Sequence, residues 1–330
     1  AKSIRLGLIS LEISTNKSSI TIRKKQKGFF LRNLEILYKE KAFWLMVLPG
    51  IIWYLIFAYG PMYGLIISFK DFSPFKGITK SPWVGFKWFI QFFESQFFWR
   101  LIRNTLLLNI FNIIFSFPVP IILAFLLNEV RHNWYKRIVQ TVSYLPHFVS
   151  TVIIVGMLVN FVAPSGGIVN NIIVALGGEP IHFMVKPEWF RPLYIITGIW
   201  QNAGWNSIIY IAALSSIDPQ LYEAAYVDGA NKIKQIWYVS LPGILPTIII
   251  MLILALGSIL SVGYEKIILM YNTATYETAD VINTYVYRRG VVGGEYSFGT
   301  AVGLFQSVIN FMFIVAANKI SRKVSNVSLW

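Results

Sequence analysis

Six stretches of this 330-residue chain contain no Asp, Glu, Lys or Arg: residues 42–69, 104–128, 138–178, 192–217, 235–264 and 296–318. The shortest is 23 residues long, and a helix crossing the hydrocarbon layer of a bilayer needs about 20 apolar residues. Each run can therefore cross once. Charged residues make up 13% of the chain and apolar residues 55%, where an ordinary soluble domain carries about 25% charge. That composition excludes a soluble globular enzyme and a disordered chain. Backbone groups in lipid must be paired within the segment, and the period-2 alternation of a membrane β-strand is absent, so the spans are α-helical. The 41-residue third run is interrupted by Ala163-Pro164-Ser165-Gly166-Gly167 and Asn170-Asn171, which read as an exit from the membrane. One crossing at about 138–162 and a short helix at about 168–176 near the surface follow. The sequence predicts an all-α integral membrane protein of six transmembrane helices, at about 42–68, 104–128, 138–162, 192–216, 241–263 and 298–318, within a domain covering 42–321.

Six crossings place both termini on one side. Residues 1–41 carry ten Lys and Arg against three acidic residues, and the terminal side totals 18 basic residues against nine in the opposite loops. By the positive-inside rule the termini face the cytoplasm. The net charge of +14 is mostly this asymmetry. A basic flank before a first span is expected on membrane grounds, which argues against nucleic acid as a partner. Residues 1–41 lack the short apolar core and small-residue cleavage site of a signal peptide. Phe30, Leu34, Leu37 and Tyr38 share one helical face, the pattern of a helix lying in the interface. Residues 322–330 read as a cytoplasmic tail. Pro49, Pro61, Pro118, Pro120 and Pro146 sit inside spans and each should kink its helix, either for shape alone or as a bend on which helices rock. The outer loop 70–100 is rich in Phe and Trp, suited to headgroups or a partner surface. The loop 265–295 is long for a simple link.

The most informative segment is the cytoplasmic loop 216–240. Asp218 is placed to cap a helix whose first position is Pro219, and Gly229 is placed to end it in a left-handed conformation. Asn231 can cap a second short helix reaching about Val239, which Leu241-Pro242 would end. Two short helices joined by a glycine make a compact knob, and the small Ala224 and Ala225 let another surface approach. On local physics alone this is equally a structured loop with ordinary caps.

Residues 223–242 resemble the EAA signature of the membrane subunits of binding-protein-dependent ABC importers: Glu223-Ala224-Ala225, three residues, Gly229, and Leu241-Pro242 at the matching distance, with Val239 where the pattern has Ile. The flanks, Trp200-Gln201-Asn202-Ala203-Gly204-Trp205-Asn206 and Tyr276-Glu277-Thr278-Ala279-Asp280, resemble the carbohydrate branch of that family. The likeness runs from about residue 40 to the end and looks closest to permeases for complex oligosaccharides, of which the alginate importer is one member. The resemblance implies the type I ABC importer permease fold with a cytoplasmic coupling helix. It also implies half of a translocation pathway working by alternating access. The partners it implies are a second homologous permease subunit, two ATP-binding subunits that hold ATP and Mg, and an extracytoplasmic solute-binding protein. On this likeness Glu223, Ala224, Ala225, Asp228 and Gly229 form the surface that docks on the ATPase, and the cargo is an oligosaccharide.

The chain has no Gly-Lys dipeptide and so no GxxxxGK[ST] phosphate loop; no cofactor of its own is expected. It has no Cys, and its three histidines are far apart, with no metal-ligand spacing. No Ser–His pair or HExxH suggests an intramembrane enzyme. Energy must come from a partner or a gradient, so a gradient-driven secondary transporter or channel is the alternative. Charge-free spans argue against proton coupling, although neutral oxygens can bind Na⁺.

A sugar site needs amides and aromatic rings together. Gln201, Asn202, Trp205 and Asn206 cover one broad arc of the fourth span; the same amides could serve as interhelical glue. Asn112 in the second span and Tyr264 at the end of the fifth are further pathway candidates, with Asn109, Asn160, Gln306 and Asn310 behind them. Outer-loop charges nearly balance, so they suit a neutral sugar as well as an anionic one.

Overall fold

The structure is a computed structural model and describes residues 41–325 and 327–330. Residues 1–40, which carry the basic tail up to Lys41 and the amphipathic face of Phe30, Leu34, Leu37 and Tyr38, lie outside the described residues. The chain divides into two units, one ending at Gly64 and one beginning at Leu65. The described part of the first unit is helical from Lys41, carrying Pro49 within an α-helical stretch and a π-helical turn at Tyr54–Tyr59.

The second unit is built of helices joined by short turns; its described residues contain one isolated antiparallel bridge, Lys70 to Trp83, and no extended strand. In chain order its main helices are α1 (Lys87–Phe93), α2 (Phe98–Glu129), α3 (Asn133–Phe148), α4 (Thr151–Phe161), α5 (Ile168–Ala175) and α6 (Pro187–Ser215). They continue with α7 (Pro219–Val227), α8 (Lys232–Leu256), α9 (Tyr264–Met270), α10 (Ile282–Val286) and α11 (Tyr296–Ser325). Across the described residues, Lys41–Phe69, α2, α8 and α11 are each long and apolar enough to cross a membrane, and α3 with α4 form a bent pair. At 29 residues α6 has the length of a span, but its amides and terminal charges dilute its apolar character. The short helix expected at about 168–176 is present as α5.

Prolines shape these helices in a way that length and hydropathy do not announce. Before Pro61, Pro118 and Pro242 the helix widens into a π turn, at Tyr54–Tyr59, Asn112–Ser116 and Ile236–Ser240. Each time the residue just before the proline donates its N–H to the carbonyl five back: Gly60 to Leu55, Phe117 to Asn112, Leu241 to Ile236. A proline offers no N–H and collides with the carbonyl four residues earlier; one wide turn relieves both problems without stopping the helix. Hence the second short helix expected to end at Leu241-Pro242 does not end there, and α8 runs on from Lys232 to Leu256.

Two expected spans are interrupted. The third, anticipated as one helix over 138–162, turns through 100° between Phe148 and Thr151. Pro146 ends α3 in a 3₁₀ turn over Leu145–Phe148, and Ser150 caps α4 by accepting from Ile153 N at 3.4 Å. The fifth, anticipated to reach 263, leaves the helix after Leu256, and residues 257–263 are irregular. Bare backbone in an apolar setting must find partners. Asn109 Nδ2 donates to Ile259 O at 2.8 Å, Gln306 Nε2 donates to Leu260 O at 2.7 Å, and Asn310 Oδ1 accepts from Leu260 N at 3.0 Å.

Three apolar clusters hold the unit. Ala124, Tyr210, Leu214 and Ile244 join α2, α6 and α8 near the loop 216–240. Phe92, Leu101, Ile259, Leu260, Ile282, Tyr285, Phe298 and Val302 bind α1, α2, α10 and α11 around the irregular segment. A third cluster of α4, α6 and α9 includes Val155, Leu158, Phe190, Leu193, Ile267 and Met270. Within 265–295, Asp280 is completely buried and paired with Arg288 and Arg100. Burial alone lowers the basicity of Arg288, but its bonds to Asp280 and Tyr271 outweigh that and hold it above the ordinary arginine range. The last helix extends to Ser325, beyond the span expected to end near 318, and the chain end returns to it: Leu329 N donates to Asn318 Oδ1 at 2.8 Å.

Candidate functional site

Two places bear on function. The first is the loop 216–240. Asp218 Oδ1 accepts from Gln220 N at 3.0 Å, Pro219 occupies the first turn, and α7 follows. Gly229, with φ at +75°, ends that helix in the left-handed region that only glycine enters without a steric cost. Ala230 N then reaches back to Ala225 O at 2.9 Å. Asn231 Oδ1 caps α8 by accepting from Lys234 N at 2.9 Å. Tyr222 and Ser240 share a hydrogen bond of 2.9 Å that ties α7 to the π turn within α8, and Lys232 reaches Glu129 at the end of α2 at 3.1 Å. The elbow is thus fixed to its neighbouring helices while its own surface stays open. Glu223, Ala224, Asp228 and Gly229 are exposed and Ala225 is half-buried, beside the exposed apolar Leu221, Tyr226 and Val227.

The second place is a cavity of about 380 Å³ between α2, α6, α8 and α9. Asn112, Gln201, Asn202 and Asn206 line it, together with Ser116, Tyr194, Tyr210, Met251 and Lys266. The four amides anticipated from the sequence therefore share one chamber. They are not equivalent. Asn202 is engaged at both ends: His147 Nδ1 donates to its Oδ1 at 3.0 Å, and its Nδ2 donates to Gly198 O at 3.1 Å. Gln201 Nε2 makes a long bond of 3.4 Å to Val149 O. Both brace the bend between α3 and α4. The side-chain amides of Asn112 and Asn206 have no hydrogen-bond partner among the described residues and are exposed to the cavity, so their donors and acceptors are available to a ligand.

Other anticipated residues lie elsewhere. Trp205 is outside the cavity lining and stacks on His147, with ring centres 4.6 Å apart and planes within 3°. Tyr264 stacks on Tyr287 at 5.1 Å. Asn109, Gln306 and Asn310 are committed to residues 259–260, and Asn160 is exposed on α4, outside the lining. Lys266 is not among the residues expected from the sequence. It stands two residues beyond the fifth charge-free run, and the apolar Ile267–Met270 after it is the signal that the segment stays among the helices. Its Nζ donates to Tyr194 O at 2.9 Å and lies 4.6 Å from the centre of the Tyr194 ring.

Residues 116–326 match the family described as the binding-protein-dependent transport system inner membrane component. The chain is 44% identical over 308 residues to the polygalacturonan/rhamnogalacturonan transport system permease protein YteP of Bacillus subtilis (strain 168), covering 93% of this chain and 95% of that one. It is 45% identical over 294 residues to protein LplB of the same organism, covering 89% and 92%. A chain in the crystal structure of a bacterial ABC transporter involved in the import of the acidic polysaccharide alginate is similar at a TM-score of 0.82 and 46% identity, covering 89% of this chain and 99% of that chain.

Proposed function

The chain belongs to the family of binding-protein-dependent transport system inner membrane components, and from that premise we propose that it forms half of an oligosaccharide pathway moved through α7 by foreign ATPases. As a member of this family it is a permease subunit of a sugar ABC importer, a multi-pass inner-membrane protein and not itself an enzyme. Six crossings with cytoplasmic termini, over the spans and loop read from the sequence, complete the proposed topology.

The observation that carries the proposal is the elbow at 216–240. It is tied to its neighbouring helices, open on one surface and continuous with α8, so a push on α7 reaches the helices that wall the cavity. Glu223, Ala224, Ala225, Asp228 and Gly229 would meet the ATP-binding subunits, which would hold ATP and Mg. Alternating access would then follow the closing of those subunits, with a second homologous permease supplying the other wall. A periplasmic protein carrying an alginate pentasaccharide accompanies the alginate transporter in a related structure, which supports an extracytoplasmic binding protein as the donor. The polysaccharides named for the relatives support an oligosaccharide cargo. Asn112 and Asn206 would meet the solute with their free amides, Gln201 and Asn202 would line the pathway while bracing the bend, and Trp205 and Tyr264 would act from behind, through the bend and the outer loop.

The chain contains no Cys, so A224C provides a single attachment point. Crosslinking from that position in the native complex should capture an ATP-binding subunit. Capture of none, in a complex that retains ATP-dependent uptake, overturns the coupling role.

A further inference from the structure

Among the described residues, Lys266 is the one charged member of the cavity lining, and no carboxylate pairs with it. Its ammonium is held rather than free to leave: Tyr194 supplies a carbonyl at 2.9 Å and an aromatic face at 4.6 Å. Gly198 lies beside it, where even a Cβ would stand 3.5 Å from Nζ, an ordinary van der Waals contact. An ammonium has three donors, and one is used here. A half-buried cation among apolar helices is costly unless an anion completes it, and such residues mark ligand pathways. The unengaged amides of Asn112 and Asn206 line the same chamber.

We propose that Lys266 is a specificity-determining residue that accepts the carboxylate of a sugar acid, while Asn112 and Asn206 meet its hydroxyls. The inference rests on the importer reading and narrows its cargo to uronate-containing oligosaccharides. Charge is supplied at one point in the pathway rather than by the outer loops, whose basic and acidic residues nearly balance.

The test uses the complete importer in proteoliposomes with ATP inside and two probes of equal chain length, trigalacturonate and its methyl ester, with maltotriose as a neutral control. Wild type should take up the acid in preference to the ester. In K266Q the acid-to-ester uptake ratio should fall about tenfold, the scale of losing one charge-assisted bond; K266R should keep most of the preference. A purely structural role for Lys266 would move both probes together. Preference of the wild type for the ester or maltotriose, or an unchanged ratio in K266Q, overturns the assignment and leaves the importer reading standing. Because the wild-type comparison needs no variant, failure of K266Q to assemble does not remove the test. Failure of the wild-type complex to accumulate any of the three with ATP counts against the importer reading itself.

Discussion

Asp280 receives both terminal nitrogens of Arg288, Nη1 on Oδ1 and Nη2 on Oδ2, each at 3.0 Å. Arg100 adds a bond of 3.2 Å to Oδ2 and Thr284 one of 2.8 Å to Oδ1. The carboxylate therefore joins α2 to the segment between α9 and α11. Removing one member of a buried pair leaves a charge uncompensated. D280N should lower stability by about 3 kcal/mol, read as thermal unfolding in detergent. R100Q should cost less, because Arg288 keeps its two bonds. Equal losses would show that the pairing with Arg288 is not the main restraint.

The sign of the Arg288 shift sets a pH expectation. A group whose basicity is raised on folding stabilises the fold at every pH below its unfolded value, and the contribution is lost only as pH rises through the folded value. For Arg288 both values lie at or above the ordinary arginine range. The stability difference between wild type and R288Q should therefore stay flat from about pH 7 to pH 9. A difference that shrinks over that interval contradicts the assignment of the shift.

Close packing of α3 on α6 depends on Gly204, where a Cβ would run into the Ser143 carbonyl. G204A should cost about 1–3 kcal/mol through overpacking. Gly156 faces open space, and G156A should be neutral or slightly stabilising through helix propensity. Comparison of the two unfolding temperatures checks this; the reverse order contradicts the packing.

The amides that hold residues 259–260 should behave as restraints and not as solute contacts. N109L and Q306L should each lower stability by about 1 kcal/mol or more, through the carbonyls they leave bare, while the ratio of uptake between acidic and neutral probes is unchanged. A change in that ratio without a loss of stability would return these residues to the pathway.

The two ends of the elbow are legible in sequence because their signals are local. Asp218, Pro219, Gly229 and Asn231 act on neighbours within a few residues, and the structure places caps and a left-handed turn at those positions. The apolar helices are legible for the same reason, from runs without charge. The breaks are not. The 100° turn at Val149 and Ser150 is braced by Gln201, Asn202 and His147, and the gap after Leu256 by Asn109 and Gln306, which lie 150 and 46 residues from the carbonyls they bind. Lys266 reads as a border residue because charge at the end of an apolar run usually marks the interface. Only the placement of α9 against α6 brings it into the chamber.

The central claim is that motion enters through α7, and it is tested most directly by measuring ATP hydrolysis and solute uptake together in proteoliposomes of the complete complex carrying G229P. The left-handed backbone at position 229, φ +75°, is closed to proline, whose φ is fixed near about −65°, so the elbow loses its shape without loss of the spans. The expected result is an assembled complex that hydrolyses ATP while uptake falls by at least about tenfold. Uptake at the wild-type rate in that complex would contradict the account.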